Sequence, residues 1–172
     1  TKFTVLEVGM DKKGEIDYLT KLINPNLGLI TNISYAHIQN FNNLNQIAQA
    51  KSEIIKNIMP GGTMVINKDN KYYTYFFKKA RKQKLKIISY SEKNKNANVV
   101  FISQKKVKNK FLINFKINFK IKTFLISKEL TNYKQNILAS LSIIINYFTV
   151  KKLNRNLFLN FKIPKSRGSI KN

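Results

Sequence analysis

The sequence has no cysteine and a single histidine, His37. Without cysteine there is no disulfide framework, no thiolate-bound zinc and no thiol nucleophile, an absence that fits a cytosolic chain. Acids are also scarce. Eight Asp and Glu face 32 Lys and Arg, leaving a formal charge of +24. Arginine is nearly absent too, limited to Arg81, Arg155 and Arg167. A basic excess of this size points either to nucleic acid and other polyanions or to an AT-rich coding bias. The second reading is favoured, because nucleic-acid sites lean on arginine for bidentate contacts and the cations here are almost all lysine, amid many Asn and Ile. No apolar run approaches the roughly eighteen residues that a membrane span needs. No secretory signal opens the chain, and no initiator Met either, so it is expected to be a piece of a longer protein.

What is present reads as one α/β domain of 172 residues, with 43% hydrophobic residues and enough length for a real core. Residues 3–8 read as a buried strand ending near Glu7, with Gly9 allowing a turn. Residues 14–23 form an amphipathic helix, apolar at Ile16, Leu19, Leu22 and Ile23. Asn24, Pro25 and Asn26 close it. A second buried strand follows over 27–33, then a helix over 43–59 that Pro60, Gly61 and Gly62 terminate. Strand 63–66, helix 71–83 and strand 85–90 continue the alternation. That order predicts βαβ units and a mostly parallel, Rossmann-like sheet flanked by helices.

The pattern then changes to period two. Ile113, Phe115, Ile117, Phe119 and Ile121 alternate with Asn114, Lys116, Asn118, Lys120 and Lys122. Such alternation predicts a half-exposed antiparallel strand, with Phe115 and Phe119 both on its core face. Residues 99–103 are its expected partner and residues 124–126 a third strand, giving a small antiparallel subdomain near residues 98–127. A final helix spans 132–148, and a loose tail carries Arg167.

Several side chains could carry chemistry. Glu7, at the end of a strand, could face a cation in the crevice beyond the sheet, or simply pair with a lysine. His37 follows the second strand and could bind a metal, or be a surface residue satisfied by hydrogen bonds. Lys51 lies on a helix flank among Ala48, Ala50 and Ile54. An ordinary solvated lysine would do nothing there, whereas one with a depressed pKa could react. Asn67 and Asp69 follow the third strand and could cap a turn or face a nucleotide. Arg167 suits a phosphate contact or plain solvation.

Three fragments, in order and at their spacing, make a specific set: Glu7-Val8-Gly9-Met10 with Gly14-Glu15-Ile16, Ile30-Thr31-Asn32-Ile33 with Ala36-His37, and Ala50-Lys51-Ser52-Glu53-Ile54. Together they resemble the central, ATP-binding domain of the Mur ligases over nearly the whole chain. The resemblance implies residues 1–168 as that domain, incomplete at its start, and 169–172 as the opening of a linker to a further domain. It implies ATP and Mg2+ as cofactors and an acyl-phosphate route to an amide bond, with charge on the transferring phosphoryl group neutralised by the metal and basic side chains. Glu7 and His37 would then ligate magnesium, with Lys51 carbamylated into a third, anionic ligand. Asn136 would face adenine, Asn67 and Asp69 would lie toward the nucleotide, and Arg167 would reach its phosphates. Ala36 and the Gly-Met and Gly-Glu-Ile blocks favour the branch that joins D-alanyl-D-alanine to UDP-N-acetylmuramoyl-tripeptide.

The chain departs from the family at Leu130, Asn132 and Tyr133 ahead of Asn136, and at Ser166 before Arg167. It has no G-x-x-G-K-[ST] loop to cradle the β- and γ-phosphates; the resemblance puts that loop and the first strand just before residue 1. The isolated chain is therefore expected to be inactive. A folylpolyglutamate-type ligase and a small basic nucleic-acid-binding protein are the competing readings, the latter using the Phe/Lys strands as a stacking face.

Overall fold

The computed structural model describes residues 2–34, 40–161 and 163. They fall into two compact units, Thr1–Ser89 and Tyr90–Asn172.

In the first unit the expected alternation forms. It comprises α1 (Glu15–Ile23), β1 (Leu27–Ile30), α2 (Leu44–Lys51), β2 (Thr63–Asn67) and α3 (Tyr73–Lys82), and leads into β3 (Lys86–Ser91). β1 and β2 pair in parallel, Leu27 opposite Thr63 and Ile30 opposite Ile66. Every residue of β2 is buried, as expected of a parallel strand covered on both faces. The core collects Ile30, Met64 and Ile66 from the strands with Ile16, Ile47, Ile55, Phe76 and Ala80 from the helices. Close packing around the glycines sets the approach of β1 and the loop before β2. A Cβ on Gly62 would lie 2.7 Å from the Asn26 carbonyl oxygen and 2.8 Å from that of Met59.

Three expectations for this unit need correction. Residues 3–8 form no strand, and Phe3, Val5 and Leu6 are exposed. A doubly apolar strand needs a hydrogen-bonded neighbour and cover on both faces, and the described residues give this segment no ladder. Glu7 is consequently exposed on an irregular segment rather than set at a strand end. The helix expected over 43–59 stops as an α-helix at Lys51 and tightens into a 3-10 segment, Ser52–Asn57. There the Ser52 hydroxyl donates to the Gln49 carbonyl at 2.6 Å, a local bond that competes with regular helix geometry. β1 also ends at Ile30, short of the expected residue 33.

In the second unit, β4 (Val99–Val107), β5 (Lys110–Ile117) and β6 (Lys120–Ile126) form an antiparallel meander, followed by α4 (Lys134–Tyr147). β3 pairs with β4 in parallel through Tyr90 and Ser91. The strands hydrogen-bond in the order β1-β2-β3-β4-β5-β6, a mixed α/β sheet as expected. Ile113, Phe115 and Ile117 are fully buried, with Phe115 ring to ring against Phe101 and Phe124 at 6.2 and 6.1 Å. Phe119 is the correction here. It is 100% exposed, because the chain reverses between Ile117 and Lys120, which pair directly. Asn118 takes the left-handed conformation (φ 54°) that such a two-residue turn favours. The alternation therefore belongs to two strands and a turn, not to one strand.

No described helix is long and apolar enough to cross a membrane.

Candidate active site at the strand ends

The ends of parallel strands leave main-chain groups facing a crevice, and the residues just beyond them decide what that crevice can hold. Past β1 the chain runs through Thr31 and Asn32. Past β2 it turns through Asn67, Lys68, Asp69 and Asn70. Three side chains, Asn67, Asn70 and Asn32, tie these two exits together, and Lys51 joins the first exit from α2. The Asn67 amide reaches the Thr31 carbonyl at 3.5 Å, while its Oδ1 accepts the Asp69 N–H at 2.9 Å. Asn70 donates to Asn32 Oδ1 at 2.9 Å. Lys51, from the last turn of α2, donates from Nζ to the Asn32 carbonyl at 2.9 Å.

Lys51 is the chemically distinctive member. It is half-buried, and desolvation pushes its amine below the ordinary lysine value. Burial disfavours the ammonium form, so more of the amine is neutral at a given pH, the form that can attack an electrophile such as CO2. A lysine on the same helix but facing water would lack that property.

The side chains expected to act here are placed as follows. Lys51 and Asn67 reach the exit of β1, and Asn67 forms the capped turn that was one of its two readings, with Asp69 held there through its main-chain N–H. Glu7 lies on the exposed segment before α1. His37 and Arg167 lie outside the described residues. Asn136 is exposed in the first turn of α4, in the second unit. Among the described residues no three His, Cys, Asp or Glu side chains gather as a metal site. As an ammonium Lys51 only donates, and as a neutral amine it offers nitrogen to an ion that takes oxygen ligands. The donor set therefore fits magnesium only if Lys51 is converted to a carbamate, whose oxygens accept where the amine donated.

Two residues in the motifs had no role assigned from sequence. Asn32 anchors both Lys51 and Asn70. Its contribution to Lys51 is a main-chain carbonyl, which carries no residue-type signal. Glu53, two residues after Lys51, reaches the start of α1. Its carboxylate accepts the Gly14 N–H at 2.9 and 3.1 Å and the Asp17 N–H at 3.1 Å. Here a signal was available: glycine at the helix start supplies no capping side chain, so an acceptor has to come from elsewhere.

Comparison with known proteins bears on the family and the fold. A family model described as the Mur ligase middle domain matches residues 1–144. UDP-N-acetylmuramoyl-tripeptide--D-alanyl-D-alanine ligase of Buchnera aphidicola subsp. Acyrthosiphon pisum (strain APS) is 36% identical over 119 residues, which is 68% of this chain and 23% of that protein. The chain thus spans about a quarter of the length of that curated relative. Among solved structures, MurF from Acinetobacter baumannii superposes with a TM-score of 0.72 at 22% identity, covering 86% of this chain and 32% of that one. MurF ligase from Thermotoga maritima, solved in complex with ADP, gives 0.69 at 20% identity, covering 83% of this chain and 32% of that one. At these identities the structural likeness speaks for the fold.

Proposed function

The chain belongs to the Mur ligase family by its middle domain, and from that premise we propose that it is part of an ATP-dependent ligase of peptidoglycan precursor synthesis. The parent enzyme would join D-alanyl-D-alanine to UDP-N-acetylmuramoyl-tripeptide in the cytoplasm. The name borne by the Buchnera relative supports this choice of substrates. The observation that carries the proposal is the half-buried Lys51 amine held against Asn32 beyond the ends of β1 and β2.

In this reading residues 1–168 serve as the nucleotide-binding domain and 169–172 begin the linker that follows it. Mg2+, when bound, supplies the positive charge that a transferring phosphoryl group requires. Glu7, His37 and carbamylated Lys51 would hold it. The Asn32 carbonyl positions the Lys51 amine for modification, and the Asn67 turn keeps the two strand exits in register. Asp69 would lie toward the nucleotide, Asn136 would face adenine, and Arg167 would reach the phosphates. The chain alone supplies no Walker-type loop, so phosphate chemistry requires the parent polypeptide.

The test has two parts. The coding sequence upstream of Thr1 should contain a G-x-x-G-K-[ST] loop within about twenty residues. The encoded parent protein should release phosphate from ATP only when both the tripeptide nucleotide and D-alanyl-D-alanine are present. Phosphate release with a folate substrate instead would move the assignment to a folylpolyglutamate-type ligase.

A further inference from the structure

The β5–β6 turn presents an aromatic side chain with no packing partner. Phe119 is 100% exposed, and Ile121, two residues on, is 65% exposed. Two large apolar side chains exposed two residues apart at a hairpin tip make a small apolar wedge whose burial against a partner would be favourable. Its neighbours are basic. Lys120 flanks it in sequence, Lys122 follows Ile121, and Lys116 lies opposite Ile121 across the ladder. Lys116 also donates to the Lys95 carbonyl, which draws the loop before β4 toward the hairpin. Across residues 90–172 the only acids are Glu92 and Glu129. Glu92 lies 3.9 Å from Lys134, and Glu129 accepts from Ser127.

We propose that this hairpin tip is a docking element for an anionic lipid surface, with Phe119 and Ile121 entering the interface and Lys116, Lys120 and Lys122 meeting the headgroups. An apolar wedge ringed by lysines is the chemistry such a surface rewards: apolar burial and attraction to anionic headgroups add. Nucleic acid fits less well. One aromatic at a turn provides no platform for successive bases, and the aliphatic Ile121 beside it does not stack. The proposal does not depend on the ligase reading, because the tip and the strand-end site involve different residues.

The absence of tryptophan from the chain provides a clean probe. Phe119→Trp places a single indole at the tip. On adding vesicles of phosphatidylglycerol and phosphatidylcholine, its emission should shift to the blue and be quenched by lipids brominated on the acyl chain. Pure phosphatidylcholine vesicles should produce neither effect. Tyr18→Trp, on exposed α1, should respond to neither. In sedimentation with the same vesicles, Phe119→Ser should weaken binding by about tenfold. Lys120→Glu with Lys122→Glu should do at least as much, whereas Lys78→Glu with Lys82→Glu on α3 removes equal charge and should change binding less than about twofold. Unchanged binding for Phe119→Ser, or equal losses for the two charge pairs, would overturn the proposal in favour of diffuse attraction by net charge. Tighter binding to single-stranded RNA than to the anionic vesicles, with the same dependence on Phe119, would overturn it in favour of a nucleic-acid site.

Discussion

Replacing Glu53 with alanine removes a cap that α1 does not carry itself. A helix start leaves its first N–H groups without partners, and glycine at position 14 offers no side chain to satisfy them. One carboxylate from the segment after α2 satisfies both ends of the turn, taking the Gly14 N–H and the Asp17 N–H. Loss of a capping side chain costs roughly 0.5–2 kcal/mol, and loss of a negative charge at a helix N-terminus adds about 0.3–1 kcal/mol. Water can reach the freed amides, since Glu53 is only half-buried, so the upper end is not expected. Glu53→Ala should therefore destabilise by about 2 kcal/mol. Glu53→Gln keeps an acceptor oxygen and loses the charge, and should cost about 1 kcal/mol. At this chain length 1 kcal/mol corresponds to roughly 2–4 °C in Tm, so thermal melting followed by circular dichroism should show a drop of about 4–8 °C for the alanine variant. Hydrogen exchange should place the loss at the amides of residues 14–17. A Glu53→Ala protein within about 0.5 kcal/mol of the parent, or one whose faster exchange lies elsewhere, would refute the capping argument.

Gly62→Ala should destabilise by at least about 1–3 kcal/mol in urea unfolding, because its Cβ would meet two main-chain carbonyls that cannot rotate away. Gly28→Ala should cost less, since the atoms it meets, led by Ile58 Cδ1, are ends of flexible side chains. Asp17 is held below the usual carboxylate range by Lys21 first, then Lys56 and Asn57. Its stabilisation is thus complete above its ordinary value of 3.8 and fades as pH falls below that value toward its folded-state pKa. Urea midpoints of Asp17→Asn and the parent should accordingly differ at pH 6 and converge on acidification; a gap that widens as pH falls would contradict the sign.

The α/β alternation of the first unit is legible in the sequence because its signals are local: apolar period, the Asn-Pro-Asn stop and the Pro-Gly-Gly stop. Residues 3–8 mislead because apolar content reports what a strand would bury, not whether a neighbour exists to pair with it. Phe119 misleads for a geometric reason. A two-residue turn inverts odd-even phase: Ile117 pairs with Lys120, and the buried positions pass from Ile113, Phe115 and Ile117 to Phe124 and Ile126. The apolar alternation in the sequence nevertheless continues through Phe119 and Ile121, which are exposed, and only Asn118 hints at the turn. At the candidate site, Lys51 could be picked out through its motif. What makes it unusual, burial and a main-chain acceptor from Asn32, arises only when α2 and the β1 exit come together. The cap from Glu53 likewise joins residues 36 to 39 positions apart, beyond any local pattern.

The most direct measurement is turnover by the parent enzyme with Lys51→Ala, with and without a short carboxylic acid such as formate or acetate. If Lys51 acts as a carbamate at the strand ends, the variant should lose at least about a hundredfold in ligation rate. Added carboxylate should restore part of that loss by placing an anionic oxygen where the carbamate stood. Lys51→Ala turning over at the parent's rate, or a loss that no small carboxylate repairs while the variant remains folded and binds ATP normally, would contradict that role.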